Sequence, residues 1–137
     1  MAILEAMRRR GKRAADWHGH GLVLLVEDEE PLRRYAARLL TELGFTVVGA
    51  ADGAQALDVF RERGAELSLV LLDLTLPGLS GEAVLSEIQQ AGVPVVLSSG
   101  ADSLEVRRRF AGRGVAGFLA KPYGLDQLRT TLRDAVR

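Results

Sequence analysis

Four short polar groups stand where apolar runs end. Asp73 closes SLVLLD within the stretch SLVLLDLTLPG at residues 68–78. Glu27-Asp28 follow LVLLV (22–26), Ser98-Ser99-Gly100 end VPVVLSSG, and Lys121-Pro122 follow VAGFLA (115–120). A charge left on a buried run is costly unless it is paired. Three carboxylates brought together repel, and they cannot all stay ionised without compensation. A hard divalent cation resolves that conflict. Carboxylates and carbonyl oxygens suit magnesium, which keeps several waters and takes phosphate oxygens, and manganese accepts the same oxygen donors. Beside such a cation one carboxylate can attack phosphorus, while a lysine and a hydroxyl hold the phosphoryl oxygens. Asp73 is then a candidate phosphoryl acceptor. Singly, each group has a plainer reading. Glu27-Asp28 could favour a helix start, Asp73 could be turn chemistry before Pro77-Gly78, Ser99 could be a strand-end serine, and Lys121-Pro122 a solvated turn.

The elements that must position these groups decide between the readings. LVLLV (22–26), FTVVGA (45–50), LSLVLL (67–72), VPVVLS (93–98) and VAGFLA (115–120) read as strands. Between them lie helical stripes. Pro31, Leu32, Tyr35, Ala36, Leu39, Leu40 and Leu43 fit the first, stopped by Gly44. Ala54, Ala56, Leu57 and Phe60 fit a second, closed by Gly64. A third fits 81–90 with Gly92 beyond it, and a fourth fits 102–111 with Gly112 and Gly114 as stops. Leu125, Leu128, Leu132 and Val136 form the last. Five alternations of strand and helix predict an α/β fold, a parallel sheet with helices on both faces. The first, third and fourth strands are nearly uniform apolar runs, as strands buried on both faces must be. The second and fifth are more mixed and belong at the edges. This predicts a flavodoxin-like, doubly wound (βα)5 sheet in the order 2-1-3-4-5. Ligands of such sheets bind beyond the carboxyl ends of the strands. All four polar groups lie at those ends, on neighbouring strands, so they converge on one pocket.

Composition narrows the classes. The chain has 137 residues, 47% hydrophobic and 26% charged, which fits one domain with its own core. Lys+Arg and Asp+Glu both number 18, so no net field recruits nucleic acid or an acidic membrane. The absence of cysteine excludes disulfides and thiolate-ligated metals. No stretch of eighteen apolar residues occurs, and MAILEAMRRRGKR carries its basic residues after a short apolar patch, the reverse of a secretory signal. A cytoplasmic protein is expected, with no membrane contact by this segment. Residues 1–21 read as a flexible leader or linker and 22–137 as the domain, so a chain starting at Gly21 is expected to fold normally. His18 and His20 are two potential ligands without a third, which does not make a metal site.

With the motifs placed, the chain resembles a response-regulator receiver domain over roughly 21–137. VEDEEPLRR is similar to the family's acidic motif, LVLLDLTLPGLSG to its phosphoacceptor segment, PVVLSSG to its hydroxyl segment and GFLAKPY to its lysine motif. The resemblance implies that Asp73 is the phosphoacceptor. Asp28 and Asp73 would ligate Mg2+ (or Mn2+) directly, together with the backbone carbonyl of Thr75, and Glu27 would act through water. Ser99 and Lys121 would bind the phosphoryl group, and Phe118 takes the place of the switch aromatic. Glu27 stands where Asp is common, Ser99 where Thr is common, and Phe118 lacks a tyrosine hydroxyl.

Two enzyme rivals fail on particular residues. An aspartate-nucleophile phosphohydrolase needs a second Asp two residues after the first, and Thr75 stands there. A dinucleotide enzyme needs a glycine-rich turn after the first strand, where this chain has EDEEP. A third alternative is an inert receiver-like docking scaffold. The active reading is a phosphorylation switch in a phosphorelay. It is not an enzyme acting on an outside substrate, and its partner is a histidine kinase or histidine phosphotransfer domain. GFLAKPY near the end suggests the terminal receiver of a hybrid histidine kinase, the alternative being a stand-alone response regulator. The 102–137 surface would carry the output and is a candidate homodimer face, with no direct DNA binding. In the expected switch, Ser99 moves toward phosphorylated Asp73 and Phe118 turns inward behind it.

Overall fold

The computed structural model describes residues 17–74, 81–100 and 103–136. Strands β1 (Leu22–Val26), β2 (Thr46–Ala50), β3 (Leu67–Asp73), β4 (Val95–Ser99) and β5 (Gly117–Ala120) form one sheet in the order β2-β1-β3-β4-β5. Every pairing is parallel. Helices α1 (Glu30–Glu42), α2 (Gly53–Arg63), α3 (Gly81–Gln90), α4 (Ser103–Phe110) and α5 (Leu125–Ala135) alternate with the strands. This is the doubly wound order that the apolar pattern predicts. β1 and β4 are buried throughout, and β3 at all positions but Ser68, whereas β2 and β5 are partly exposed edges.

Pleat alternation divides the core in two. On one face Val23, Leu25, Leu69, Leu71 and Val96 pack with Leu39 and Leu40 of α1, with Leu43 at its C-cap, and with Leu128 and Leu132 of α5. On the other, Leu24, Val70, Leu72 and Leu97 pack with Leu57 of α2, Val84, Leu85 and Ile88 of α3, and Phe110 of α4. Each such aliphatic side chain removed from water contributes about 1.5–3 kcal/mol. The sheet is thus clamped from both sides, and its carboxyl ends are left to carry polar groups.

Element ends follow local chemistry. Pro31 opens α1, and Gly44 closes it with φ at 104°. The Phe45 N–H donates to the Leu40 carbonyl at 3.1 Å and the Gly44 N–H to that of Thr41 at 3.0 Å. Those two bonds define a Schellman stop. Gly64 caps α2 as expected, but without the left-handed turn of Gly44. It stays right-handed at φ −56° and continues α2 into a 3-10 turn over Gly64–Glu66. The backbone there runs directly into β3 and needs no left-handed residue.

The expectation of a flexible leader over 1–21 does not extend to its last five residues. Trp17 packs against Phe45 with ring centroids 6.1 Å apart. The Gly19 N–H donates to the Leu43 carbonyl at 2.7 Å, and the Thr46 N–H donates to the Gly21 carbonyl at 2.9 Å. A Cβ on Gly19 would run into the Phe45 ring, so glycine lets this strap lie flat on the α1–β2 corner. Contrary to the sequence expectation, removing residues 17–20 should lower the unfolding free energy by about 1–3 kcal/mol, with Trp17→Ala accounting for much of it. Urea unfolding of the full chain and both variants checks this. Residues 1–16 lie outside the described residues.

Candidate functional site

The site is built from the ends of β1, β3, β4 and β5. Glu27 follows β1, and its N–H donates to the Ala50 carbonyl at 3.0 Å, extending the sheet by one residue. Arg33, one turn into α1, donates to the Glu27 carbonyl at 2.9 Å and holds the corner. Asp73 is the last residue of β3, with only 1% of its surface exposed. Lys121 follows β5, its N–H bonded to the Ser99 carbonyl at 3.0 Å, and the Lys121-Pro122 peptide is cis.

Glu27, Asp73 and Lys121 share one side of the sheet. In strict alternation each continues the face of Leu25, Leu71 and Leu119, all members of one core cluster. The Lys121 Nζ lies 3.0 Å from Asp73 Oδ2 and also donates to Glu27 Oε1. One ammonium thus bridges two buried carboxylates. Asp28 is exposed, yet it completes the acidic group. Glu27, Asp28 and Asp73 each offer a carboxylate oxygen within 4.8 Å of the others. All are hard oxygen donors, and a set with one open side suits a small divalent cation.

The charges explain the titration of the site. Burial raises the Glu27 carboxyl to about 6. The Lys121 hydrogen bond lowers it, and Asp73 raises it again by hydrogen bonding and like charge. Burial pushes the Lys121 ammonium toward losing its proton. The bonds and charges of Glu27 and Asp73 outweigh that, so its pKa lies above the ordinary value. Tyr123 is raised well above a normal phenol, first by burial and then by the charges of Glu27, Tyr35 and Asp73.

Ser98 and Ser99 are both buried, 4% exposed each. The register sets Asp73 opposite Ser98, and Ser99 opposite Ala120. Ser99 therefore continues the other face, that of Leu97 and its partner Phe118. Phe118 is half-buried, packed on the cluster that holds Leu97. Thr75 lies outside the described residues. His18 and His20 are exposed and form no part of the acidic group.

Several neighbours of the site escaped sequence reasoning. Leu32 and Tyr35 of α1, with Gly100, Pro122 and Tyr123, line a cavity of about 320 Å³ beside Glu27 and Lys121. The Tyr35 hydroxyl donates to the Tyr123 carbonyl at 3.3 Å. Leu32 and Tyr35 lie on an otherwise amphipathic helix, and their exposure at 40% and 45% is visible only once the helix is docked.

A parallel five-stranded sheet with this cluster at its carboxyl edge is the architecture of a signalling receiver. The response regulator receiver domain family matches residues 23–133, and the chain belongs to that family. It is 33% identical over 135 residues to the sensor kinase CckA of Brucella abortus, covering 97% of this chain and 14% of that protein. It is 37% identical over 116 residues to the sensory transduction protein RegX3 of Mycolicibacterium smegmatis, covering 84% and 50%. Among solved structures, the signal receiver domain of a LuxO-type repressor protein from Vibrio parahaemolyticus superposes with a TM-score of 0.75 at 28% identity. That match covers 86% of this chain and 91% of that one. The chain spans only about 14% to half of the length of such curated relatives. No helix among the described residues is long and apolar enough to cross a membrane.

Proposed function

We propose that this receiver accepts a phosphoryl group on Asp73 from a phosphohistidine of a histidine kinase or phosphotransfer domain. The observation that carries the reading is the buried Asp73 carboxylate, held 3.0 Å from the Lys121 ammonium inside the Glu27–Asp28–Asp73 cluster. An Asp73 Oδ attacks phosphorus and the P–N bond to the partner's imidazole breaks. The imidazole leaves with the bonding pair and is protonated by solvent. Water later cleaves the acyl phosphate to free phosphate. Lys121, already directed at Asp73, is placed to hold a phosphoryl oxygen.

Asp28 and Asp73 would hold Mg2+ or Mn2+ directly, with the Thr75 carbonyl, and Glu27 would do so through water. The cation supplies charge neutralisation for the incoming phosphoryl group. The hydroxyl that answers phosphorylation is that of Ser99. Ser98 faces the Asp73 side, but only Ser99 lies on the face that Phe118 occupies, so only Ser99 couples the two. Its withdrawal toward Asp73 opens room for Phe118 and remodels α4, β5 and α5.

The match to a sensor kinase runs over 97% of this chain, so it takes in most of residues 1–16, where the match to RegX3 covers 84%. That favours a receiver carried within a cytoplasmic hybrid kinase, with residues 1–16 as linker and a domain from Trp17 onward. The full reading frame of the gene tests this context. The chemistry is tested by incubation with acetyl phosphate on a phosphate-affinity gel. One shifted band is expected with Mg2+, lost with excess chelator and restored by Mn2+. A chain that stays unshifted with Mg2+ rejects Asp73 phosphorylation, and a shift indifferent to chelation rejects the metal.

A further inference from the structure

Helix α4 carries three consecutive arginines, and their surroundings differ. Arg109 pairs with Glu82 of α3 and lies over Phe110, 5.6 Å from the ring centroid. Arg108 is exposed. The Arg107 guanidinium lies over the Phe118 ring, 5.9 Å from its centroid, and makes no ion pair with the described residues. Gln89 of α3 donates to the Arg113 carbonyl just beyond α4. The helix is therefore tied to α3 by Glu82 and Gln89, and Arg107 lies against Phe118 of β5.

A cation over a ring is attracted to the ring's negative face within about 6 Å. That attraction exists only while the ring faces the α4 surface. A Phe118 that turns in beside Ser99 moves away from the guanidinium, and the contact is lost. We propose that Arg107 is a positioning residue of the switch: by lying over Phe118 it holds the ring in its half-buried position and sets how many chains respond before phosphorylation. This rests on the phosphorylation reading above.

An exposed cation–π contact shifts a two-state balance by roughly two- to fivefold. The apparent affinity for an activating ligand rises in proportion to the share of competent chains. The probe is beryllofluoride with Mg2+, titrated into the full chain and followed by amide chemical shifts. Arg107→Ala and Arg107→Gln should each tighten binding about two- to fivefold. They should also move the Phe118 amide of the unliganded protein toward its bound position. Arg107→Lys, which keeps the cation, should stay within about twofold of the parent, and Arg108→Ala should change nothing. In a Ser99→Ala background the gain should vanish, because no hydroxyl then couples the bound ligand to the position of the ring. If the parent binds beryllofluoride and Arg107→Ala binds equally or more weakly, the Arg107 proposal is overturned. It is overturned equally if Arg108→Ala or Arg107→Lys gives the same gain. If the parent itself binds no beryllofluoride, the phosphorylation reading fails instead.

Discussion

Replacing Asp73 with asparagine is expected to abolish phosphorylation by acetyl phosphate, by roughly a thousandfold or more, without loss of stability. An amide is a poor nucleophile toward phosphorus, and no other group in the cluster occupies the Asp73 position. The expected stability separates this loss from misfolding. Asp73 is 1% exposed, and its charge works against that of Glu27. Asparagine fills the same volume without that charge, and Lys121 keeps Glu27 as partner. The unfolding free energy should stay level or rise by up to about 2 kcal/mol. A phosphate-affinity gel and a urea titration on the same preparation decide it. A shifted band of parental intensity in the Asn variant would show that phosphorylation occurs elsewhere.

Lys121→Met should produce the largest loss of stability of any change at the site. The Lys121 side chain is 17% exposed, and the side chains it bridges are 6% and 1% exposed. Removing one member of a buried ionic group leaves the others without compensation, at a cost of about 3–5 kcal/mol. The deficit should depend on pH. In the parent without metal, Glu27 titrates at about 6, against 4.5 ordinarily. A carboxyl raised in this way binds more protons folded than unfolded between those values. Its contribution to stability is therefore greatest below pH 4.5, and it falls by on the order of 2 kcal/mol as pH rises through 6. Without Lys121 the lowering influence is gone and the window moves upward. The variant's deficit should be largest near pH 8 and shrink toward pH 5. Mg2+ should recover part of it at pH 8 by binding the folded state alone. Urea unfolding in chelator at both pH values, then with Mg2+ at pH 8, measures all three. Equal deficits at both pH values would mean that lost packing, not unpaired charge, is responsible.

The local sequence determined the five strands, their burial classes and the polar residues at their tips. A parallel strand covered on both faces must be apolar along its length, so Glu27, Asp73 and Lys121 stand out against LVLLV, LSLVLL and GFLA. The edge character of β2 and β5 is equally local, and it agrees with the order of the sheet. Folding decided which groups touch. The Lys121–Glu27 and Lys121–Asp73 bonds join residues 94 and 48 positions apart, and no periodicity encodes a side-chain distance across four crossovers or even two. The same holds for Arg107 over Phe118 and for Trp17 against Phe45. In each case a residue whose composition reads as solvated charge or flexible leader acquires its role from the surface that packing sets beside it. The split between Ser98 and Ser99 is of the same kind. Both end one apolar run, and only the register of β4 against β3 and β5 assigns one to the Asp73 face and the other to the Phe118 face.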